Sequence, residues 1–136
     1  RVGNQKFYQA NADSPIFAEL RGIVVKTFGV AQVLQTALMP AWAQIDFAFI
    51  YGSIAKGNDT ASSDVDVLIV GDVSHQQVLE LLQPTQAQLG RAVNPTLYTK
   101  IEWAQRLHEQ KSFIMRIIEQ DKILIKGSEY DITHVN

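Results

Sequence analysis

Residues 51 to 72 hold the side chains best placed to do chemistry: Tyr-Gly-Ser-Ile-Ala-Lys-Gly-Asn-Asp-Thr-Ala-Ser-Ser-Asp-Val-Asp-Val-Leu-Ile-Val-Gly-Asp. Asp64 and Asp66 stand two apart at the mouth of an apolar run, so on a strand both carboxylates point to one face. Two carboxylates that close repel each other unless a cation sits between them. Hard oxygen ligands of this kind suit Mg²⁺, which keeps several waters and shares substrate phosphates. Gly52-Ser53 directly follows a second apolar run and opens a short helical segment. Glycine there lets the backbone approach a ligand, and free amides suit a phosphate. Lys56 adds charge on the phosphate side, and Ser63 is a further candidate contact, with a local turn role beside Asp64. Gly52 and Gly57 also have the glycine spacing of a P-loop, but Asn58-Asp59 stands where Lys-Ser or Lys-Thr is required. That reading is excluded.

These residues need a sheet behind them. Strands are expected over Ile45 to Tyr51 and Val65 to Val70, each ending at a glycine. Ser74-x-x-Gln77 forms a capping box and predicts a helix through Leu79 and Leu82 towards Leu89. A third strand is expected over Ala92 to Thr99, at a sheet edge because Pro95 removes a ladder donor. Thr99 and Glu102 predict a second capping box and a helix through Trp103 and Leu107, followed by a helix over Ser112 to Glu119 and a strand over Ile123 to Ile125. Upstream, Ser14-Pro15 starts a helix whose apolar stripe runs from Ile16 to Leu38, with a kink at Gly29 and a stop at Pro40. Residues 1 to 12 read as a short strand. The expected organisation is that strand, a linking amphipathic helix over 13–40, a catalytic domain over 41–127 and a tail over 128–136.

Composition narrows the classes. A chain of 136 residues with 46% hydrophobic and 19% charged residues is one domain able to bury a core. The absence of cysteine excludes a disulfide framework, a thiolate metal site and a cysteine nucleophile, and it suits a cytoplasmic location. A net charge of -2 is too little positive charge for a surface-wide nucleic-acid footprint. No apolar stretch approaches the length of a membrane span, so no membrane partner is expected. A start at Arg1 reads as a fragment of something longer. His75, His108 and His134 lack ligand spacing and read as surface residues, Tyr98 and Trp103 as core, and Asp46 as structural.

Gly-Ser-x-Ala-x-Gly, a short polar spacer, then Ser-Asp-x-Asp ahead of an apolar strand resembles the minimal nucleotidyltransferases of the DNA polymerase β superfamily. The resemblance is strongest over residues 49 to 72 and holds in element order to about residue 127. It implies an α/β fold (an α+β mixed sheet, small and flanked by helices). It also implies that Gly52 and Ser53 hold a triphosphate, while Asp64 and Asp66 hold Mg²⁺ ions and serve as the catalytic pair. The implied reaction moves a nucleoside monophosphate from a nucleoside triphosphate such as ATP to an acceptor hydroxyl, releasing pyrophosphate. The acceptor is a protein, small molecule or nucleic acid. The family usually has a third carboxylate on the next strand; here that strand carries no acid, and Asn94 falls at the position. The first 38 or so residues resemble the wing and exit helix of a winged-helix regulator. That implies an alternative: a catalytically degenerate nucleotide-binding module of a DNA-binding transcriptional regulator, reaching DNA through a missing N-terminal domain. The apolar stripe of residues 14 to 39 is expected to form an interface, with a second copy or with that domain.

Overall fold

The computed structural model describes residues 29–57 and 63–134. The expected strand over 1–12 and the helix from Ser14 to Phe28 lie outside the described residues. β1 (Ile45–Tyr51) and β2 (Val65–Gly71) are apolar on both faces, as strands covered by helices on both sides must be. They pair antiparallel, with Tyr51 opposite Asp66 and Ile50 opposite Val67. β3 (Val93–Tyr98) runs parallel to β2, placing Asn94 opposite Asp66. β4 (Ile123–Lys126) runs antiparallel along the other side of β1. The order β3-β2-β1-β4 is the expected mixed sheet, and Pro95 does sit in an edge strand.

Helices cover both faces. α1 (Val30–Ala37) buries Val30 and Leu34, and Pro40 falls in the first turn of the 3₁₀ segment Met39–Gln44 that follows it. Gly29 has helical dihedrals of φ −64° and ψ −38° and caps α1; the kink expected there turns on residues before it, which lie outside the described ones. α2 (Ser53–Lys56) is a single turn, and α3 (His75–Leu89) makes the crossover from β2 to β3. Leu34, Val67, Ile69, Val78 and Leu82 share the core on this side. On the other side, α4 (Lys100–His108), α5 (Ser112–Glu119) and α6 (Glu129–Thr133) close over Phe47, Phe49 and Leu68, with Trp103 of α4 buried among them.

The sequence places the helix starts through their caps. Ser74 Oγ accepts from the Gln77 amide at 3.1 Å. The Thr99 amide donates to Glu102 Oε1 at 2.8 Å, and the Glu102 amide donates to Thr99 Oγ1 at 3.0 Å, which completes the capping box. The stretch expected as a tail contains α6, held by reciprocal bonds between Ser128 and Asp131. Ile132 of α6 is fully buried, and its carbonyl accepts from Trp103 Nε1 at 2.8 Å. No helix among the described residues is long and apolar enough to cross a membrane.

Candidate active site

Strand alternation puts Asp64 and Asp66 on the face of Leu68 and Val70, which is the aromatic side of the sheet. Asp64 is exposed and Asp66 half-buried. Gly52 reaches them from the end of β1. Its φ of +81° and ψ of −153° fall in a region that is essentially glycine's alone. A Cβ built there would lie 2.6 Å from Asp66 Oδ2, so only a bare Cα lets the turn pack on that carboxylate. Ser53 follows at the start of α2, and Gly57, at φ +77°, closes that turn.

Asn94 joins the pair from β3. Its Nδ2 donates to Asp64 Oδ2 at 3.0 Å. Burial pushes the Asp66 carboxyl above its ordinary range; a hydrogen bond from Asn94 works against that shift, and the Asp64 charge adds to it. Burial and the nearby Asp64 charge thus both disfavour the charged form of Asp66, and a cation would relieve both. The donors are oxygens of the hard kind that suit Mg²⁺, and the Gly52 turn brings open backbone to the same spot, so the residues fit a metal-bound phosphate group. Among the described residues, no cluster of three or more His, Cys, Asp or Glu side chains gathers to hold a metal.

Three neighbours of the pair lie outside the motif. Tyr51 stands opposite Asp66, with its hydroxyl 3.3 Å from Thr96 Oγ1 across β2 and its ring edge-on to Phe113 at 6.3 Å. Burial raises the Tyr51 phenol above its ordinary range; the Thr96 hydrogen bond works against that shift, and the Asp66 charge adds to it. Arg91 Nη1 donates to the Ser63 carbonyl at 3.1 Å and so anchors the residue before Asp64. Sequence reasoning passes over Tyr51, Thr96 and Arg91, and the one signal for them is positional: Tyr51 abuts Gly52, Thr96 lies two beyond Asn94, and Arg91 lies two before β3. Lys56 lies exposed at the far end of α2, and Asp46 is exposed at the opposite end of β1. His75 and His108 are exposed, and His134 stacks on Tyr130 at 3.9 Å.

A glycine turn and a same-face carboxylate pair thus stand together at one end of a mixed sheet. The family described as "Polymerase beta, Nucleotidyltransferase" matches residues 34–130, a span that includes Gly52, Ser53, Asp64, Asp66 and Asn94. The chain belongs to this family and is a nucleotidyltransferase. A protein of Methanocaldococcus jannaschii, provisionally named a protein adenylyltransferase, is 29% identical over 75 residues, 55% of this chain and 73% of that protein. Among solved structures, a toxin-antitoxin with AMP-PNP superimposes with a TM-score of 0.54 at 16% identity, covering 75% of this chain and 77% of that one. A mutant of the toxin-antitoxin MntA-HpeT gives 0.50 at 15% identity, over 71% and 73%. At these identities the two structures establish the fold. The family match begins at residue 34 and leaves the winged-helix resemblance of the first residues without support.

Proposed function

We propose that the domain transfers a nucleoside monophosphate from ATP to an acceptor hydroxyl, releasing pyrophosphate, with Mg²⁺ held by Asp64 and Asp66. The observation that carries this reading is the packing of Gly52 on Asp66, which brings a bare backbone turn against a carboxylate of the pair. In the reaction the acceptor oxygen forms a bond to the α-phosphorus, and the bond from that phosphorus to the bridging oxygen breaks. The electron pair leaves with pyrophosphate, and the acceptor proton passes to solvent.

Asp64 and Asp66 bind the metal through carboxylate oxygens. When bound, Mg²⁺ would supply charge neutralisation and polarisation at the phosphoryl oxygens. The backbone at Gly52 and the Ser53 hydroxyl hold the outer phosphates. Lys56, exposed three residues on, extends positive charge towards them. Arg91 keeps Ser63, and with it Asp64, in place. A protein hydroxyl is the acceptor favoured by the name of the archaeal relative, and the AMP-PNP of the structural neighbour favours an adenine nucleotide. The cytoplasm, where ATP and Mg²⁺ are both abundant, is the compartment this reading calls for. A second reading, a nucleotide-binding module of a regulator with little turnover, is favoured by the amide at Asn94.

Calorimetric titration of ATP with and without Mg²⁺, on the wild type and on a variant combining Asp64→Ala and Asp66→Ala, tests the site. The wild type is expected to bind about tenfold or more tightly with Mg²⁺, a difference of about 1.4 kcal/mol, and the variant to lose that dependence. Equal affinity in all four titrations overturns the metal site. Mass spectrometry of candidate acceptor proteins incubated with Mg²⁺-ATP then identifies the product.

A further inference from the structure

The protein side of the site offers two carboxylates and, in the third position around them, an amide. Asn94 lies opposite Asp66 in the parallel β2–β3 register, and its Nδ2 donates to Asp64 Oδ2 at 3.0 Å. An ionised carboxylate only accepts hydrogen bonds, so the Asn94 nitrogen rather than its carbonyl faces Asp64. A donor with positive partial charge thus occupies Asp64 Oδ2, where a carboxylate in place of Asn94 would offer a cation a further oxygen.

Among the described residues no other acid replaces it. Glu102, the nearest acid along the chain beyond β3, is spent in the helix cap, accepting from the Thr99 amide at 2.8 Å. No third carboxylate joins the pair among the described residues. The charges point the same way. An ion on the triphosphate side draws ligands from the phosphates as well as from Asp64 and Asp66, the sparing coordination that Mg²⁺ ordinarily accepts. An ion on the acceptor side would have fewer phosphate oxygens to share and would lean more on protein oxygens, so it would lose most when an acid is replaced by an amide.

We infer that this chain holds one divalent ion with its triphosphate rather than two, and that Asn94 sets the number. The inference rests on the Mg²⁺-triphosphate reading above. Where two ions clamp the attacking and leaving oxygens, one activates the acceptor. Here the acceptor hydroxyl meets neither a second ion nor a side-chain base on β3, and a positioned base contributes about 10²–10⁴-fold in rate. Slow transfer with intact triphosphate binding follows.

The test counts bound Mn²⁺ by electron paramagnetic resonance, with AMP-PNP held equimolar to protein. One Mn²⁺ per wild-type chain is expected, two for Asn94→Asp, and one for Asn94→Ala, which removes the donor without adding an acid. Two ions in the wild type or in Asn94→Ala, or a single ion in folded Asn94→Asp, overturns the inference while leaving the triphosphate reading intact. No nucleotide-dependent Mn²⁺ in the wild type overturns both. The wild-type count decides the ion number even where a variant fails to fold.

Discussion

Gly52 and Gly57 both hold left-handed φ values five residues apart, yet their surroundings differ. Nothing lies within 4 Å of a Cβ built at Gly57, whereas Asp66 Oδ2 lies 2.6 Å from one at Gly52. Gly57→Ala is therefore expected to lose about 1–2 kcal/mol of stability from the backbone alone, with Mg²⁺-ATP affinity within about twofold of wild type. Gly52→Ala is expected to lose about as much stability or more and to drop affinity by about tenfold or more, or about 1.4 kcal/mol. Urea denaturation and calorimetry on the matched pair check both numbers; equal affinity losses would remove the special role of Gly52. Much of the site is legible in the sequence at this scale, because a spacing of two on a strand decides which face Asp64 and Asp66 share. The bonds from Tyr51 to Thr96 and from Arg91 to Ser63 are not, since they span 45 and 28 residues and depend on register between strands. Local patterning carries no term for that register.

α4 begins where Thr99 and Glu102 exchange backbone and side-chain bonds, and the Thr99 amide holds the Glu102 carboxyl below its ordinary 4.5. A depressed carboxyl pKa adds stability above the unfolded value and loses it as pH falls through the folded one. The difference in thermal midpoint between wild type and Glu102→Ala should thus be present at neutral pH and close in acid below 4.5. A gap that widens in acid would contradict the cap's electrostatic role. Lys122 closes α5 in the opposite sense. Its side chain is 3% exposed, and its ammonium donates to the carbonyls of Ile118 at 2.8 Å and Gln120 at 2.9 Å. Lys122→Met leaves those carbonyls unpaired and should reduce stability by about 1.5–3 kcal/mol in urea melts, the usual worth of bonds to a charged donor. Side-chain caps make α3 and α4 legible from residue types and spacing alone. α6 escapes although Ser128-x-x-Asp131 has the same form, because five residues burying only Ile132 leave no periodicity to detect.

The described residues form one sheet with a core on each side, and α6 seals the aromatic one. A chain ending after Gly127 loses the buried Ile132 side chain and the carbonyl that Trp103 Nε1 bonds. Losing the first costs about 1.5–3 kcal/mol and leaving the indole unsatisfied a further 1–3 or so. The truncated chain should melt at lower urea, with tryptophan emission shifted to the red; an unshifted spectrum would mean that another segment seals Trp103. The strand order β3-β2-β1-β4 also bears on how the chain is made. A ribosome delivers β1 before the other described strands and β4 after them, yet the two end as neighbours. Until residue 126 clears the exit tunnel, one edge of β1, with Phe47, Phe49 and Ile50 along it, is a bare template for any passing strand. Synthesis of this domain thus has a vulnerable interval, which opens once β1 is exposed and closes only when β4 arrives. A pause or stop codon within that interval would release a product whose acidic pair is already translated but whose sheet is still open to aggregation.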